Sequence, residues 1–145
     1  MNQKKLSSGI AILYWDVKNS EYLYLLLKAY QYWDFPKGMV EKNETPLQAA
    51  KREVQEETAI EELDFRWGEI YKETGPYRAG KVARYYIAQV NSCDVSLLAN
   101  PETGKPEHQD YKWFRFGEAN SIVSPRVKSV LLWVNSIVSQ PQDNS

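Results

Sequence analysis

The chain has 145 residues, of which 43% are hydrophobic and 26% charged, so we expect one folded domain spanning residues 1–145. The net charge of −1 argues against an obligate nucleic acid partner, and no basic run suggests a membrane surface. The single Cys93 excludes an internal disulfide and suits a reducing compartment. The N-terminal "MNQKKLSSGI" contains no apolar core, so no signal peptide is predicted. No apolar run is long enough to predict a membrane span. A soluble cytoplasmic protein is therefore expected.

Strands dominate the predicted elements, and two helices interrupt them. Strands are predicted at residues 9–15, 22–30, 63–74, 82–90 and 111–116. The first two flank a polar turn and should form a hairpin, whereas residues 75–81 and 100–110 are predicted loops. The last helix begins after Ser124, and its apolar stripe is expected to face the core: Val127, Val130, Leu131, Val134, Ile137 and Val138. This order predicts an α/β fold, with helices packed on a mixed sheet, and the final "SQPQDNS" is expected to fray.

The first helix is predicted to begin after Thr45. Pro46 suits a first helical position, and Gln48 lies three residues after the cap, as a capping box requires. Ala50 and Val54, with Leu47, recur at helical spacing and should face the core.

Three carboxylates share a neighbouring arc of that helix. Glu53, Glu56 and Glu57 are spaced i, i+3 and i+4, so they repel one another, and Arg52 is placed to pair with Glu56. A solvated face relieved by basic neighbours is one explanation. The other is that divalent cations relieve the repulsion, because carboxylate oxygens are ligands that Mg²⁺ prefers beside substrate phosphates.

The residues before the helix favour the second explanation. Gly38 allows a close backbone approach to a metal or phosphate, and Lys37 can meet a phosphate as a point charge. Glu44 adds a carboxylate just before the cap. A glycine loop, a lysine and clustered carboxylates together predict a metal-dependent phosphate site.

The same spacing resembles the Nudix box, Gly-x5-Glu-x7-Arg-Glu-U-x-Glu-Glu-x-Gly-U, in which U is a bulky aliphatic residue. The matching positions are Gly38, Glu44, Arg52, Glu53, Val54, Glu56, Glu57 and Ile60. Ala59 departs from the pattern, because it stands where the family has glycine in the exit turn. The resemblance implies an α/β/α sandwich and hydrolysis of a nucleoside diphosphate linked to another moiety.

The resemblance also implies roles for individual residues. The glutamates Glu53, Glu56 and Glu57 would hold Mg²⁺ or Mn²⁺, with the backbone carbonyl next to Gly38 as a further ligand. Arg52 would orient the glutamates, and Glu44 would contribute more weakly. Any of several glutamates could be the general base.

The sequences flanking the box, "WDFPKG" and "EHQDYKWF", are similar to the diadenosine tetraphosphate hydrolase branch of that family. This similarity implies that Lys37 contacts a phosphate and that Glu107 is an added metal ligand or base. His108 is either a site residue or a loop histidine bonded to backbone. A looser match suggests that Tyr77 stacks on adenine and Lys81 contacts a phosphate, the alternative being a surface tyrosine and a solvated lysine.

These resemblances imply a metal-dependent enzyme whose substrate is a dinucleoside polyphosphate or another nucleotide. The favoured reaction is asymmetric cleavage of a dinucleoside tetraphosphate, giving ATP and AMP from the adenosine form. One alternative is removal of pyrophosphate from 5′-triphosphorylated RNA, or a related nucleotide pyrophosphohydrolase activity. A second is a non-catalytic nucleotide or RNA sensor, which the clustered negative charge argues against because it would repel phosphate.

Overall fold

The computed structural model describes residues 5–140, so the last five residues of the segment expected to fray lie outside it. Within these residues the strands are β1 (Lys5–Asp16), β2 (Glu21–Ala29), β3 (Tyr32–Asp34), β4 (Lys37–Met39), β5 (Tyr71–Tyr77), β6 (Lys81–Val90) and β7 (Asp110–Arg115). The helices are α1 (Pro46–Thr58), α2 (Phe116–Ile122) and α3 (Pro125–Val138). None of the helices in this part of the chain is long and apolar enough to cross a membrane.

The strands form one mixed sheet with the order β3-β2-β1-β6-β5, in which β4 also pairs with β1 and β7 with β2. The central pair, β1 and β6, is parallel over ten residue pairs, and the remaining pairings are antiparallel. The hairpin predicted from the first two apolar runs is confirmed, since β1 pairs with β2 around residues 17–20.

Both faces of this sheet are buried. Successive side chains of a strand point to opposite faces, so each strand contributes to both layers of the core. On one face Ile10, Ile12, Leu25 and Leu27 pack against Ala50 and Val54 of α1. On the other face Ala11, Leu13, Tyr24 and Leu26 pack against α2 and the predicted stripe of α3. The expected α/β/α sandwich, with helices on both faces of a mixed sheet, is therefore confirmed.

Three local predictions were wrong. Residues 63–74 do not form one strand, because the chain turns at Gly68, which has φ +89°, and only Asp64 bridges to the sheet before β5 begins at Tyr71. Strand β5 then runs into the predicted loop as far as Tyr77. The loop before α1 contains the short strands β3 and β4, and the seven-residue helix α2 was not predicted.

The predicted beginning of α1 is confirmed. The Thr45 side chain accepts a hydrogen bond from the Gln48 backbone at 3.1 Å, and the Gln48 side chain accepts one from the Thr45 backbone at 2.9 Å. At the other end Ala59 adopts the left-handed conformation, with φ 66° and ψ 10°. The exit turn therefore keeps the glycine-like geometry although the residue is alanine, at a cost of about 1 kcal/mol.

We predict that Ala59→Gly stabilises the protein by about 1 kcal/mol, because glycine adopts positive φ without a Cβ clash. Urea unfolding of both proteins measures the change. Ala29→Gly is the control, since Ala29 lies in β2 and is not among the residues with positive φ. That control should lose stability, and an equal loss for Ala59→Gly would contradict the prediction.

Candidate active site

The candidate site lies where β4 packs closely against β1 and α1. Strand β4 pairs with β1, which places Gly9 opposite Lys37. A Cβ on Gly9 would overlap the Pro36 carbonyl, and a Cβ on Gly38 would overlap the carboxyl group of Glu53. Gly9 is therefore required sterically, because backbone atoms fill the space of its side chain, whereas a side chain at Gly38 would push the Glu53 carboxyl group aside.

Arg52 holds the carboxylates around it. Its Nε donates to Glu44 Oε2 at 2.7 Å, and its Nη1 donates to Glu53 Oε1 at 2.8 Å and to Glu56 Oε2 at 3.1 Å. Its Nη2 donates to the Met39 carbonyl at 3.0 Å, which ties the helix to β4. The hydrogen bond from Arg52 lowers the pKa of Glu44, so Glu44 and Arg52 form a charged pair at the edge of the site.

Glu57 lies deeper than the other helix carboxylates. Its residue is 8% exposed, whereas the Glu56 side chain is 59% exposed. The backbone and the charge of Lys37 lie near the Glu57 carboxylate and oppose the rise of its pKa, but Glu57 Oε2 has no hydrogen-bond partner among the described residues. A buried carboxylate oxygen without a partner is unusual, and it faces a place where a cation would satisfy it.

Glu107 and His108 reach the same place from the loop before β7. One ligand atom each from Glu57, Glu107 and His108 lies within 4.8 Å of the other two. The Asn100 side chain donates to Glu107 Oε1 at 2.8 Å and fixes that carboxylate. Burial lowers the pKa of His108, so its imidazole is neutral at pH 7 and offers a nitrogen lone pair.

The electrostatics of the cluster favour a cation. Burial, reinforced by the charges of Glu53 and Glu107, raises the pKa of Glu57 to about 9. Burial also raises the pKa of Glu53, although Arg52 opposes this change. Because carboxylates forced together resist ionisation, and because the donors are mainly oxygens around an unsatisfied atom, the residues present fit a divalent cation.

A cavity of about 520 Å³ opens over this cluster. The predicted site residues that line it are Arg52, Glu53, Glu56, Glu57, Glu107 and His108. Lys37 lies beside it through its backbone contact with Glu57. Tyr77 and Lys81 are paired with each other where β5 meets β6, and the Tyr77 ring packs on the core beneath α2 and α3. They are therefore placed apart from the carboxylates, on the side of the sheet that carries α3.

Sequence reasoning missed a polar network beside Lys37. The Asp34 carboxylate accepts hydrogen bonds from Arg126 Nη2 at 2.8 Å and from the Tyr85 hydroxyl at 3.1 Å. Only the positions of the two residues in the sequence could have indicated this network. Asp34 lies inside "WDFPKG", and Arg126 is a charged residue of α3 outside its apolar stripe. Asn100, which fixes Glu107, was also missed because nothing in a polar loop distinguishes it.

Comparison with known proteins shows the family to which this chain is similar. The profile of the NUDIX domain family matches residues 7–134. The asymmetrical bis(5′-nucleosyl)-tetraphosphatase of Rattus norvegicus is 35% identical over 109 residues, which is 71% of each chain. The RNA pyrophosphohydrolase of Bartonella henselae is 27% identical over 119 residues, covering 72% of this chain and 69% of the relative.

The fold is also similar to solved structures. An Ap4A hydrolase from C. elegans, solved as a binary complex, superposes with a TM-score of 0.77 at 26% sequence identity. The match covers 93% of this chain and 98% of that one. The similarity therefore extends over nearly the whole sandwich.

We predict that Gly38→Ala lowers kcat/KM by about 100-fold or more, because the added Cβ displaces the Glu53 carboxylate from its place against β4. The rate on the preferred nucleotide and a circular dichroism spectrum measure the effect. Gly117→Ala is the control, since a Cβ there meets nothing within 4 Å. Equal rates for the two variants would show that Glu53 has room to move.

Proposed function

The chain belongs to the Nudix family, and on this premise we propose that it cleaves dinucleoside tetraphosphates asymmetrically, giving ATP and AMP from diadenosine tetraphosphate. The observation that carries the proposal is the relation to the asymmetrical tetraphosphatases, with which this chain shares a third of its aligned residues. The flanking "WDFPKG" and "EHQDYKWF" support the same branch.

The proposed metal is Mg²⁺, with Mn²⁺ as the alternative. Glu53, Glu57 and Glu107 are proposed to hold it, with the carbonyl next to Gly38, and His108 is close enough to contribute. Glu56 is the weakest of the predicted ligands, because it is exposed and paired with Arg52. When bound, a divalent cation neutralises charge that develops on bridging phosphate oxygens and lowers the pKa of a bound water.

The protein residues supply orientation and proton transfer. Arg52 holds Glu44 and Glu53 in place, so the carboxylates present a fixed set of oxygens rather than a flexible one. The attacking water must lose a proton, and a carboxylate of the cluster is the acceptor that this proposal requires. The base is one of Glu53, Glu57 and Glu107, all of which face the same cavity.

Substrate recognition is proposed to use the side of the sheet that carries α3. Lys37 would contact the polyphosphate, since its ammonium lies 3.7 Å from Asp34 Oδ2 in a long ion pair that leaves donors free. The half-buried ring of Tyr77 would stack on a nucleobase, and Lys81 would contact a phosphate beside it.

A single Cys93, with no second cysteine to pair, supports a cytoplasmic location.

The second candidate is an RNA 5′-pyrophosphohydrolase. Its support is the similarity to RNA pyrophosphohydrolases at 23 to 27% identity, lower than that to the tetraphosphatases. The proposal of a non-catalytic sensor is weaker, because the carboxylate cluster repels phosphate unless cations neutralise it.

We predict that Glu57→Gln lowers kcat by more than about 100-fold while the fold is kept, because the amide cannot replace the carboxylate oxygen that lacks a partner. Electron paramagnetic resonance should show weaker Mn²⁺ binding in the same variant. Glu62→Gln, an exposed carboxylate outside the cluster, is the control. Turnover of Glu57→Gln near the wild-type rate in Mg²⁺ would remove Glu57 from the proposed ligands.

We predict a clear preference in a substrate panel of diadenosine tetraphosphate, ADP-ribose, dGTP and triphosphorylated RNA. Chromatography of the products should show ATP plus AMP from the first compound as the fastest reaction. If RNA loses pyrophosphate faster, the second candidate replaces the first. Tight nucleotide binding without turnover of any compound would instead favour the sensor.

A further inference from the structure

Arg126, in the first turn of α3, lies in a polar contact network at the edge of the core. Its Nη2 donates to Asp34 Oδ2 at 2.8 Å, and its Nη1 donates to the Tyr85 hydroxyl at 2.7 Å and to Thr74 Oγ1 at 3.1 Å. The side chain is 24% exposed. One guanidinium therefore connects α3 to three strands, β3, β5 and β6.

Asp34 carries the effect of Arg126 toward Lys37. One Asp34 oxygen accepts the Phe35 backbone N–H at 2.7 Å, which fixes the turn before the proline. The other oxygen lies 3.7 Å from the Lys37 ammonium. Because Asp34 cannot leave this place without losing Arg126, the position of Lys37 depends on a residue far along the chain.

Arg126 also contacts the predicted base-binding residue directly. Its guanidinium carbon lies 4.5 Å from the centroid of the Tyr77 ring, within the range of a cation–π interaction. One face of that ring is therefore covered, and a nucleobase can stack only on the other face.

We propose that Arg126 is a positioning residue for the substrate, which sets Lys37 through Asp34 and sets Tyr77 by stacking on its ring. This inference rests on the proposed function, since it assigns Lys37 to a phosphate and Tyr77 to a base. Arg126 is not assigned as the phosphate ligand, because its two Nη groups already donate to Asp34, Tyr85 and Thr74. Stability is a poor explanation for the network, since a buried ion pair contributes little compared with apolar residues of the same volume.

The test compares Arg126→Met and Arg126→Lys with the wild-type enzyme. We expect Arg126→Met to raise KM for diadenosine tetraphosphate by about 10- to 100-fold and to change kcat by less than about threefold. Arg126→Lys should recover part of the affinity, because its charge still pairs with Asp34 but it lacks the planar group that stacks on Tyr77. Calorimetry with a methylene-bridged, non-hydrolysable analogue of diadenosine tetraphosphate measures binding without turnover.

Arg84→Met is the matched control. Arg84 also joins a carboxylate, Glu73 at 2.7 Å, to a tyrosine ring, Tyr71 at 3.9 Å, but among the described residues it forms no hydrogen bond, ion pair or cation–π contact with Asp34 or Tyr77. Both variants should lose stability in thermal unfolding, and only Arg126→Met should lose affinity. Equal affinity losses in the two variants would overturn the proposal in favour of a general structural effect.

Two double-mutant cycles test the route of the effect. Combined with Asp34→Asn or with Tyr77→Leu, Arg126→Met should cost less affinity than it does alone. Each partner substitution already removes one of the two contacts through which Arg126 is proposed to act. Additive losses in both cycles would overturn the proposal. If Arg126→Met alone fails to fold, Arg126→Lys and the Asp34→Asn, Arg126→Met double variant decide, because neither leaves Asp34 as a buried unpaired charge.

The outcomes separate this inference from the function on which it rests. A wild-type enzyme that makes no ATP and AMP contradicts the proposed function, whereas an active wild type with unchanged KM in Arg126→Met contradicts only the role of Arg126. Binding of the bridged analogue by the wild type, lost in Arg126→Met and kept in Arg84→Met, supports the positioning role.

Discussion

The candidate site depends on how closely β4 packs against α1. At Gly38 the Glu53 carboxyl group occupies the space that a side chain would fill, so it lies directly against the β4 backbone. The residues on either side use the same proximity, since the Lys37 backbone lies beside Glu57 and the Met39 carbonyl accepts a hydrogen bond from Arg52. The three residues of β4, Lys37–Met39, therefore all help to position the carboxylates of α1.

Repulsion among the carboxylates explains why this packing favours a bound cation. Arg52 neutralises Glu44 and shares its charge with Glu53 and Glu56, but it does not hydrogen-bond to Glu57 in the structure. Glu57 is also the most buried of the four, and charges in a less polar environment interact more strongly than they do in water. The protein thus gathers at one point carboxylates that resist ionisation, and a divalent cation is the group that would stabilise their charged forms.

Local patterns explain which features could be predicted from the sequence. The cap at Thr45, the shared arc of Glu53 and Glu57 and the stripe of α3 all depend on helical periodicity, and the structure contains each of them. The contact between Asp34 and Arg126 joins residues 92 positions apart and depends on the sheet order, so no spacing rule reveals it. The strand predicted at residues 63–74 was wrong because its residue types allow extension, while the turn at Gly68 decides the path.

A continuous line of contacts connects the two sides of the sheet. Glu57 contacts the Lys37 backbone, the Lys37 ammonium lies near Asp34, Asp34 binds Arg126, and Arg126 covers Tyr77. The carboxylate end of this line suits a cation with phosphate, and the tyrosine end suits a flat ring. Since Lys37 lies between them, the arrangement favours a ligand in which a charged phosphate chain separates the reacting bond from a nucleobase. A small anion would occupy one end of the line and leave the contacts at the other end unused.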